Sequence, residues 1–320
     1  MSVLLEGKTL SAELRAGVTD AVREMTAAGH RPPGLGVILA GDDAASKVYV
    51  GSKVKACSEA GLASRSAILP ADVSEDEILR ILDDFNRDET LDGILVQLPL
   101  PRHIDERRVL ESVLPEKDVD GFHSYNVGNL WLDLPGFAPA TPSGVIELLK
   151  FNGIPIAGRR AVVVGRSPIV GKPMAALLLR ENATVTICHS RTADLPAVCR
   201  EADILVVAIG RPGFVGAEHV KEGAVVIDVG VSRLEQRAEV ERLFGGDEGR
   251  LRAFANRGSV LAGDVDFHRV APKASAITPV PGGVGLLTVS MLLVNTLKAA
   301  RLRQGLPAVS AKLAETVEVA

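Results

Sequence analysis

Val162-Val-Val-Gly165-Arg-Ser167-Pro-Ile-Val-Gly171-Lys-Pro173 reads as a strand that enters a helix through a glycine-bearing loop. The β-branched run before Gly165 has the make-up of a strand buried on both faces. Glycine at 165 and 171 lets the backbone turn tightly and come close to a pyrophosphate. A helix N-terminus behind it offers unpaired amides and the positive end of its dipole. Pro173 suits the first helical turn. Ser167 takes the place of the second glycine of G-x-G-x-x-G, so the pattern is a variant of the dinucleotide fingerprint. Alone it could be an ordinary strand-to-helix turn. Three further short apolar runs, 184–189, 204–209 and 225–229, follow it and favour a nucleotide-binding α/β domain.

The end of the run 184–189 bears on the cofactor. NAD-specific folds place an acid there, on the ribose 2′-hydroxyl. This chain has Cys188-His189-Ser190-Arg191 instead. A serine and an arginine suit a 2′-phosphate, because a guanidinium fork matches phosphate oxygens. Arg166 on the loop could join them, which favours NADP over NAD. The alternative for Arg191 is a solvated surface side chain.

Upstream, helical and strand-like stretches alternate. Residues 9–28 have helical spacing and stop at Gly29; 35–40, Ala63–Leu69 and 93–96 are short strands. Asp42 or Asp43 can cap a helix running to about residue 60, and Ser74 with Glu77 forms a capping box for the next. This rhythm predicts a second, mainly parallel α/β domain. Residues 123–142 show no period and read as a crossing between domains, with a helix over 143–151 after it. A long apolar helix over 288–302 is expected to return to the first domain, and 306–320 reads as a weakly helical or frayed tail.

In the first domain several polar side chains sit at edges of apolar elements. Tyr49 and Lys53 are four apart on one predicted helix, hence on one face. A lysine desolvated beside a phenol could act as acid or base; the plainer reading is a surface pair. Gln97 ends a parallel strand, where α/β sites form, and Pro99 and Pro101 stop further pairing; it could equally cap a turn. Asp118 and Asp120 flank Val119, so one carboxylate can face a pocket and the other solvent. A buried acid there could accept hydrogen bonds from the amide edge of a pterin or purine, or the segment is an Asp-rich turn.

Composition excludes other classes. With 320 residues the chain can build two cores, and a net charge of −4 gives no case for nucleic acid or an anionic membrane surface. No apolar run looks long enough for a membrane span, and the start lacks the pattern of a signal peptide. Cys57, Cys188 and Cys199 lack metal spacing and fit reduced cytosolic thiols; the histidines form no ligand pair, so no metal is expected.

Taken together, the segments make a pattern. Ser46-Lys-Val-Tyr49-Val-Gly-Ser-Lys53, Asp92-Gly-Ile-Leu-Val-Gln97-Leu-Pro-Leu-Pro101, Lys117-Asp-Val-Asp120-Gly-Phe122, Asn126-Val-Gly128, Thr141-Pro-Ser-Gly144, the loop from Gly165 to Pro173, Gly263-Asp-Val265 and Thr278-Pro-Val-Pro-Gly-Gly-Val-Gly285 occur in one order. In these the chain resembles the bifunctional methylenetetrahydrofolate dehydrogenase/methenyltetrahydrofolate cyclohydrolase family, over roughly residues 2–302. The resemblance implies an α/β chain of two domains. Residues 1–140 would be a catalytic, folate-binding domain joined by a returning helix over 284–302; 141–283 would be a Rossmann-like NADP-binding domain, and 303–320 a tail. It implies a cytoplasmic homodimer of one-carbon metabolism and purine biosynthesis, acting on tetrahydrofolate derivatives. NADP-dependent oxidation of 5,10-methylene-tetrahydrofolate would be followed by hydrolysis to 10-formyl-tetrahydrofolate.

By the same resemblance Lys53, Tyr49, Gln97 and Asp120 are the catalytic residues, with Tyr49, Asp120, Pro281, Gly282 and Gly283 on the folate. Gly165, Arg166, Ser167, Gly171, Ser190, Arg191 and Val231 would hold the cofactor. The chain departs from the family at Leu286 and Ala140, and in a stretch over 232–258 longer than usual, which reads as an added surface helix. The rivals are a family member with the dehydrogenase activity alone, another α/β oxidoreductase acting on a small acid, and a catalytically silent NADP-binding module.

Overall fold

The structure, a computed structural model, describes residues 2–307; most of the expected tail lies outside them. Contacts divide the described residues into two compact units, residues 2–10 together with 141–287, and residues 11–140 together with 288–307.

The unit built on 141–287 holds six parallel strands in the order Val3–Leu4, Ala276–Ile277, Val225–Asp228, Ile204–Val207, Arg160–Val164, Thr184–Cys188. The chain steps from Arg160–Val164 to one side and then crosses back to the other. This reversal opens a crevice beyond the carboxyl ends of the strands. Two apolar runs leave the sheet before their ends, where the amides of His189 and Ile209 find side-chain partners. The His189 amide donates to Thr192 Oγ1 at 2.8 Å, and the Ile209 amide donates to the Asp264 carboxylate at 2.7 Å.

The first ten residues, assigned on sequence to the domain that follows them, belong here. Val3 and Leu4 pair with Ala276 and Ile277, which leaves the Gly7 amide to donate to Gly282 O at 2.8 Å. A two-residue strand carries too little pattern to be read from sequence.

The long stretch after Val231 is also more than one surface helix. Strands Ser232–Leu234 and Val260–Ala262 pair antiparallel, and helices Arg237–Phe244 and Glu248–Arg257 stand between them in the chain. Leu234, Val240, Leu243 and Phe244 bury themselves against Val260 and Ala262, so the stretch has a small core of its own.

The other unit has a parallel sheet ordered Ala63–Leu69, Gly34–Ala40, Gly93–Gln97. Asp43, not Asp42, caps the helix Ala44–Glu59 by accepting from the Ser46 amide at 2.7 Å. Helix Glu75–Arg87 starts at Ser74 as expected and packs Ile78, Leu82 and Phe85 onto the sheet residues Ile38, Ile94 and Val96. The segment read as an aperiodic crossing contains a helix, Ser124–Trp131, and the following helix begins at Ala140 rather than 143.

Lys117 has no exposed surface, and its ammonium donates to the carbonyls of Phe85, Asn86 and Asp88 at 3.0, 2.8 and 2.8 Å. It thus closes the carboxyl end of Glu75–Arg87, where carbonyls lack helical partners and a cation is favoured. Burial pushes its pKa down to about 8, with Arg303 adding. Lys117→Met leaves these carbonyls unpaired and should cost about 2–4 kcal/mol, measured by urea unfolding. A loss under about 1 kcal/mol would mean that water replaces the ammonium.

Helix Gly285–Arg303 returns to this unit, as expected. Ser290 Oγ lies 2.9 Å from Ser11 Oγ, and Asn295 Nδ2 donates to Val119 O at 2.8 Å and Ala138 O at 3.0 Å. By length and composition the helix could cross a membrane, which corrects the reading that no stretch is long enough. Two-thirds of its apolar window (67%) is buried inside the protein, and its buried Ser290, Asn295 and Thr296 all find protein partners. It has the character of a core helix.

Candidate active site

In the unit of residues 11–140, the helix Ala44–Glu59 presents Tyr49 and Lys53 one turn apart. Tyr49 is half exposed, whereas Lys53 retains only 8% of its surface. The Lys53 ammonium donates to Gln97 Oε1 at 3.0 Å, and Gln97 Nε2 donates to Leu98 O at 2.7 Å. The second bond fixes which end of the amide meets the lysine. Gln97 holds this place because Gly93–Gln97 ends there, one residue short of the prolines.

Burial pushes the Lys53 pKa down, opposed by the charge of Asp120 and by Cys57. Burial likewise raises the Asp120 carboxyl to about 6, with Lys53 opposing and Asp118 adding. Both groups are thereby brought nearer neutrality, where a proton can be given or taken at little cost. Cys57 is driven up to about 12 by burial and stays a thiol.

Asp118 and Asp120 divide their tasks differently from the pocket-and-solvent split. Asp118 is buried and accepts from the Phe122 amide at 3.2 Å, the His123 amide at 2.9 Å and Asn126 Nδ2 at 2.9 Å. It ties the turn together. Asp120, half-buried, is left as the acid that interacts with Lys53.

The other unit carries the nucleotide site. Gly165 has φ +130°, and a Cβ there would run into the Ala208 carbonyl; one on Gly171 would meet Gly165 O and the Arg166 amide. The loop therefore closes on itself with no room for side chains. Ser167 explains its place in the variant fingerprint, because its Oγ accepts from the amides of Val170 and Gly171, both at 3.2 Å, just ahead of the helix Gly171–Arg180.

Beyond the strand ends lies a cavity of about 310 Å³. Gly165, Arg166 and Ser167 line it from the first strand, His189 and Ser190 from the second, and Ile209, Arg211 and Phe214 from the third. The Arg211 guanidinium lies over the Phe214 ring, 4.0 Å from its centroid. Two arginines and two serines, with no acid among the described lining residues, fit a phosphate-bearing nucleotide. Arg191 is exposed and does not line the cavity; only its backbone amide is engaged, with His189 Nδ1 at 3.1 Å.

Two buried aspartates hold the third wall. Asp264 accepts from the amides of Ile209, Gly210 and Arg211 at 2.7, 2.9 and 2.6 Å. Asp228 accepts from those of Gly230, Asp264 and Val265 at 3.0, 2.9 and 2.9 Å. Burial raises the Asp228 carboxyl to about 7, with the Val265 and Asp264 amides opposing. A Cβ on Gly230 would strike the Asp264 carboxylate and one on Gly263 the Asp228 carboxylate, so both glycines are forced. Val231 follows Gly230 and is 43% exposed. Pro281, Gly282 and Gly283 form the turn before the last helix, with Gly283 N donating to Pro279 O at 2.9 Å.

Sequence reasoning missed Asp228, Asp264, Arg211 and Phe214. Arg211-Pro-Gly-Phe214 is a turn signal after a parallel strand, and extending that strand to 209 hid it.

Two family models match the chain: the tetrahydrofolate dehydrogenase/cyclohydrolase catalytic domain over residues 5–120, and the NAD(P)-binding domain of the same family over 139–304. The bifunctional protein FolD of Koribacter versatilis is 52% identical over 305 residues, covering 95% of this chain and 99% of the relative. The solved structure of the FolD dehydrogenase/cyclohydrolase of Campylobacter jejuni is similar at TM-score 0.85 and 43% identity, covering 95% of this chain and 100% of the other. That of Trypanosoma brucei, in complex with NADP cofactor and an inhibitor, gives TM-score 0.85 and 39% identity, covering 94% and 98%.

Proposed function

This chain belongs to the tetrahydrofolate dehydrogenase/cyclohydrolase family, and from that premise we propose that Lys53, Gln97, Asp120 and Tyr49 form the centre at which it works on folate. The activity is bifunctional: NADP-dependent oxidation of 5,10-methylene-tetrahydrofolate to the 5,10-methenyl cation, then hydrolysis to 10-formyl-tetrahydrofolate. The carrying observation is the desolvated Lys53 ammonium held on Gln97 within the field of Asp120.

Bound NADP supplies the hydride acceptor. Arg166 and Ser190 would hold its 2′-phosphate, Arg211 would add positive charge, and the Gly165–Gly171 loop would receive the pyrophosphate. Hydride loss from the methylene carbon needs no base, so the protein's part is to orient the pterin. Asp120 as a carboxylate accepts from the pterin's N–H edge, and Tyr49 covers or hydrogen-bonds the ring. The family pattern assigns Pro281–Gly283 to the folate and the Val231 backbone to the nicotinamide side.

Hydrolysis needs more. Water must lose a proton as it adds to the methenyl carbon, and the departing ring nitrogen must gain one. Lys53 does both in turn. Its pKa is already lowered by burial, and the arriving cation lowers it further because like charges disfavour the ammonium. Gln97 holds the amine in line while it is neutral.

One absorbance experiment tests this reading. Methylene-tetrahydrofolate and NADP are mixed with the protein, and NADPH, the methenyl species and its decay are followed. Methenyl that forms and decays faster than in buffer is expected. Accumulation would leave a dehydrogenase alone, and no NADP reduction would return the silent-module reading.

The cofactor assignment carries its own test. Ser190→Asp places a carboxylate where the 2′-phosphate should lie and offers an acceptor to a free 2′-hydroxyl. NADP efficiency should fall about 100-fold, the effect of a close like-charge contact of roughly 2–3 kcal/mol, while NAD turnover holds or rises. Equal loss with both would move the phosphate elsewhere. The same reading makes the protein a cytoplasmic homodimer that feeds purine biosynthesis, supported by the family pattern; light scattering on the purified chain tests the dimer.

A further inference from the structure

The helix Glu248–Arg257 does more than decorate the surface. Asp247 caps it, accepting from the Arg250 amide at 3.0 Å, and this seats Arg250 in its first turn. The half-buried Arg250 side chain passes over the Phe244 ring, 4.9 Å from its centroid. Its guanidinium then spans two segments. Nη1 donates to Leu261 O at 2.8 Å, on the strand Val260–Ala262, and Nη2 donates to Val280 O. Val280 directly precedes Pro281-Gly282-Gly283.

The turn is anchored elsewhere as well. Thr278 Oγ1 accepts from the Asp228 amide at 2.7 Å before it, and Gly282 O accepts from the Gly7 amide at 2.8 Å within it. Between these anchors the two glycines leave a backbone with many accessible states, Gly282 at φ +113° among them. A charged donor that ties the Val280 carbonyl to the strand Val260–Ala262 removes much of that freedom.

We propose that Arg250 is a positioning residue for folate: it presets the Pro281–Gly283 turn so that the substrate does not bear the cost of ordering it. The proposal rests on the reading of that turn as a folate contact. Arg250 is not among the residues that line the nucleotide cavity, and of its two side-chain hydrogen bonds one goes to the strand Val260–Ala262 and one to the turn.

The test compares Arg250→Met, Arg250→Lys and Gly282→Ala with the parent in the full chain. Steady-state kinetics give separate KM values for methylene-tetrahydrofolate and NADP, and amide hydrogen exchange is followed on the apo proteins. For Arg250→Met the folate KM should rise about tenfold, the worth of one lost charge-assisted bond, with the NADP KM little changed. Exchange should quicken at Gly283 and Gly7 but not in the strand Val225–Asp228. Arg250→Lys should recover part of the loss, since it keeps the charge but not the fork. Gly282→Ala, strained at its φ, should raise the folate KM whatever Arg250 does.

If Gly282→Ala raises the folate KM and Arg250→Met does not, the clamp is overturned and the folate reading of the turn stands. If Gly282→Ala leaves the folate KM unchanged, that reading itself fails and the proposal with it. Faster exchange throughout the sheet, with both KM values raised together, would make Arg250 a general stabiliser and overturn the proposal too.

Discussion

Lys53→Met should lose hydrolysis by a factor on the order of 1,000, the usual worth of a positioned acid–base group, and keep the dehydrogenase rate within about tenfold of the parent, because hydride loss needs no proton transfer. Methionine matches the length of the lysine stem and leaves Gln97 Oε1 without the donor now 3.0 Å away. The methenyl cation should then accumulate during turnover. A pH profile gives a second readout. In the parent, binding through the Asp120 carboxylate should weaken as pH falls through about 6, its raised value in the free site. Lys53 opposes that rise, so its removal should move the acidic limb of dehydrogenase kcat/KM to higher pH. Equal loss of both activities, with an unmoved limb, would remove Lys53 from the proton path.

Asp264→Ala should be the most damaging change away from the folate. It removes the fully buried carboxylate that accepts from the part-buried amides of Ile209, Gly210 and Arg211, and empties the space that Gly230 was shaped to give it. Unsatisfied buried donors cost about 1–3 kcal/mol each, and relaxation recovers some, so a loss of about 3–5 kcal/mol is expected. For a unit of this size that corresponds to a melting temperature lower by roughly 10–15 °C. Arg211 and Phe214 lose their support, so NADP affinity should drop at temperatures where the variant is still folded. Thermal melts with and without NADP measure both; a variant that melts like the parent would show that other contacts set the loop.

The sequence carried the parts of this molecule that repeat a pattern. Parallel strands such as Gly34–Ala40 announce themselves as apolar runs, and Asp43 and Ser74 as caps. Candidate reacting groups could be picked out because each has a specific chemistry at a strand end or helix face, and Lys53 and Gln97 do meet, at 3.0 Å. What escaped was set by partners far away in the chain. Val3–Leu4 is a strand only because Ala276–Ile277 lies beside it. Asp264 matters for what its carboxylate receives from residues some fifty positions earlier. Lys117 looks like part of a catalytic motif and proves to be a cap on a helix, while Arg191, promising next to Ser190, is exposed and does not line the cavity. Ser167 is the instructive case, for the departure from the fingerprint supplies the hydroxyl that ends the loop.

Both units are assembled from separated pieces of chain, and this bears on how the protein is made. During synthesis Val3–Leu4 leaves the ribosome about 270 residues before its partner strand. At about 5–20 residues per second that is a wait on the order of 15–50 s. The unit with the folate site likewise lacks Ser290 and Asn295 until the last helix emerges. Neither half can complete its core co-translationally in isolation, so a fragment cut at residue 140 yields two unfinished pieces. A circular permutant that places residues 2–10 after 141–287 would let the nucleotide unit close as soon as it is translated.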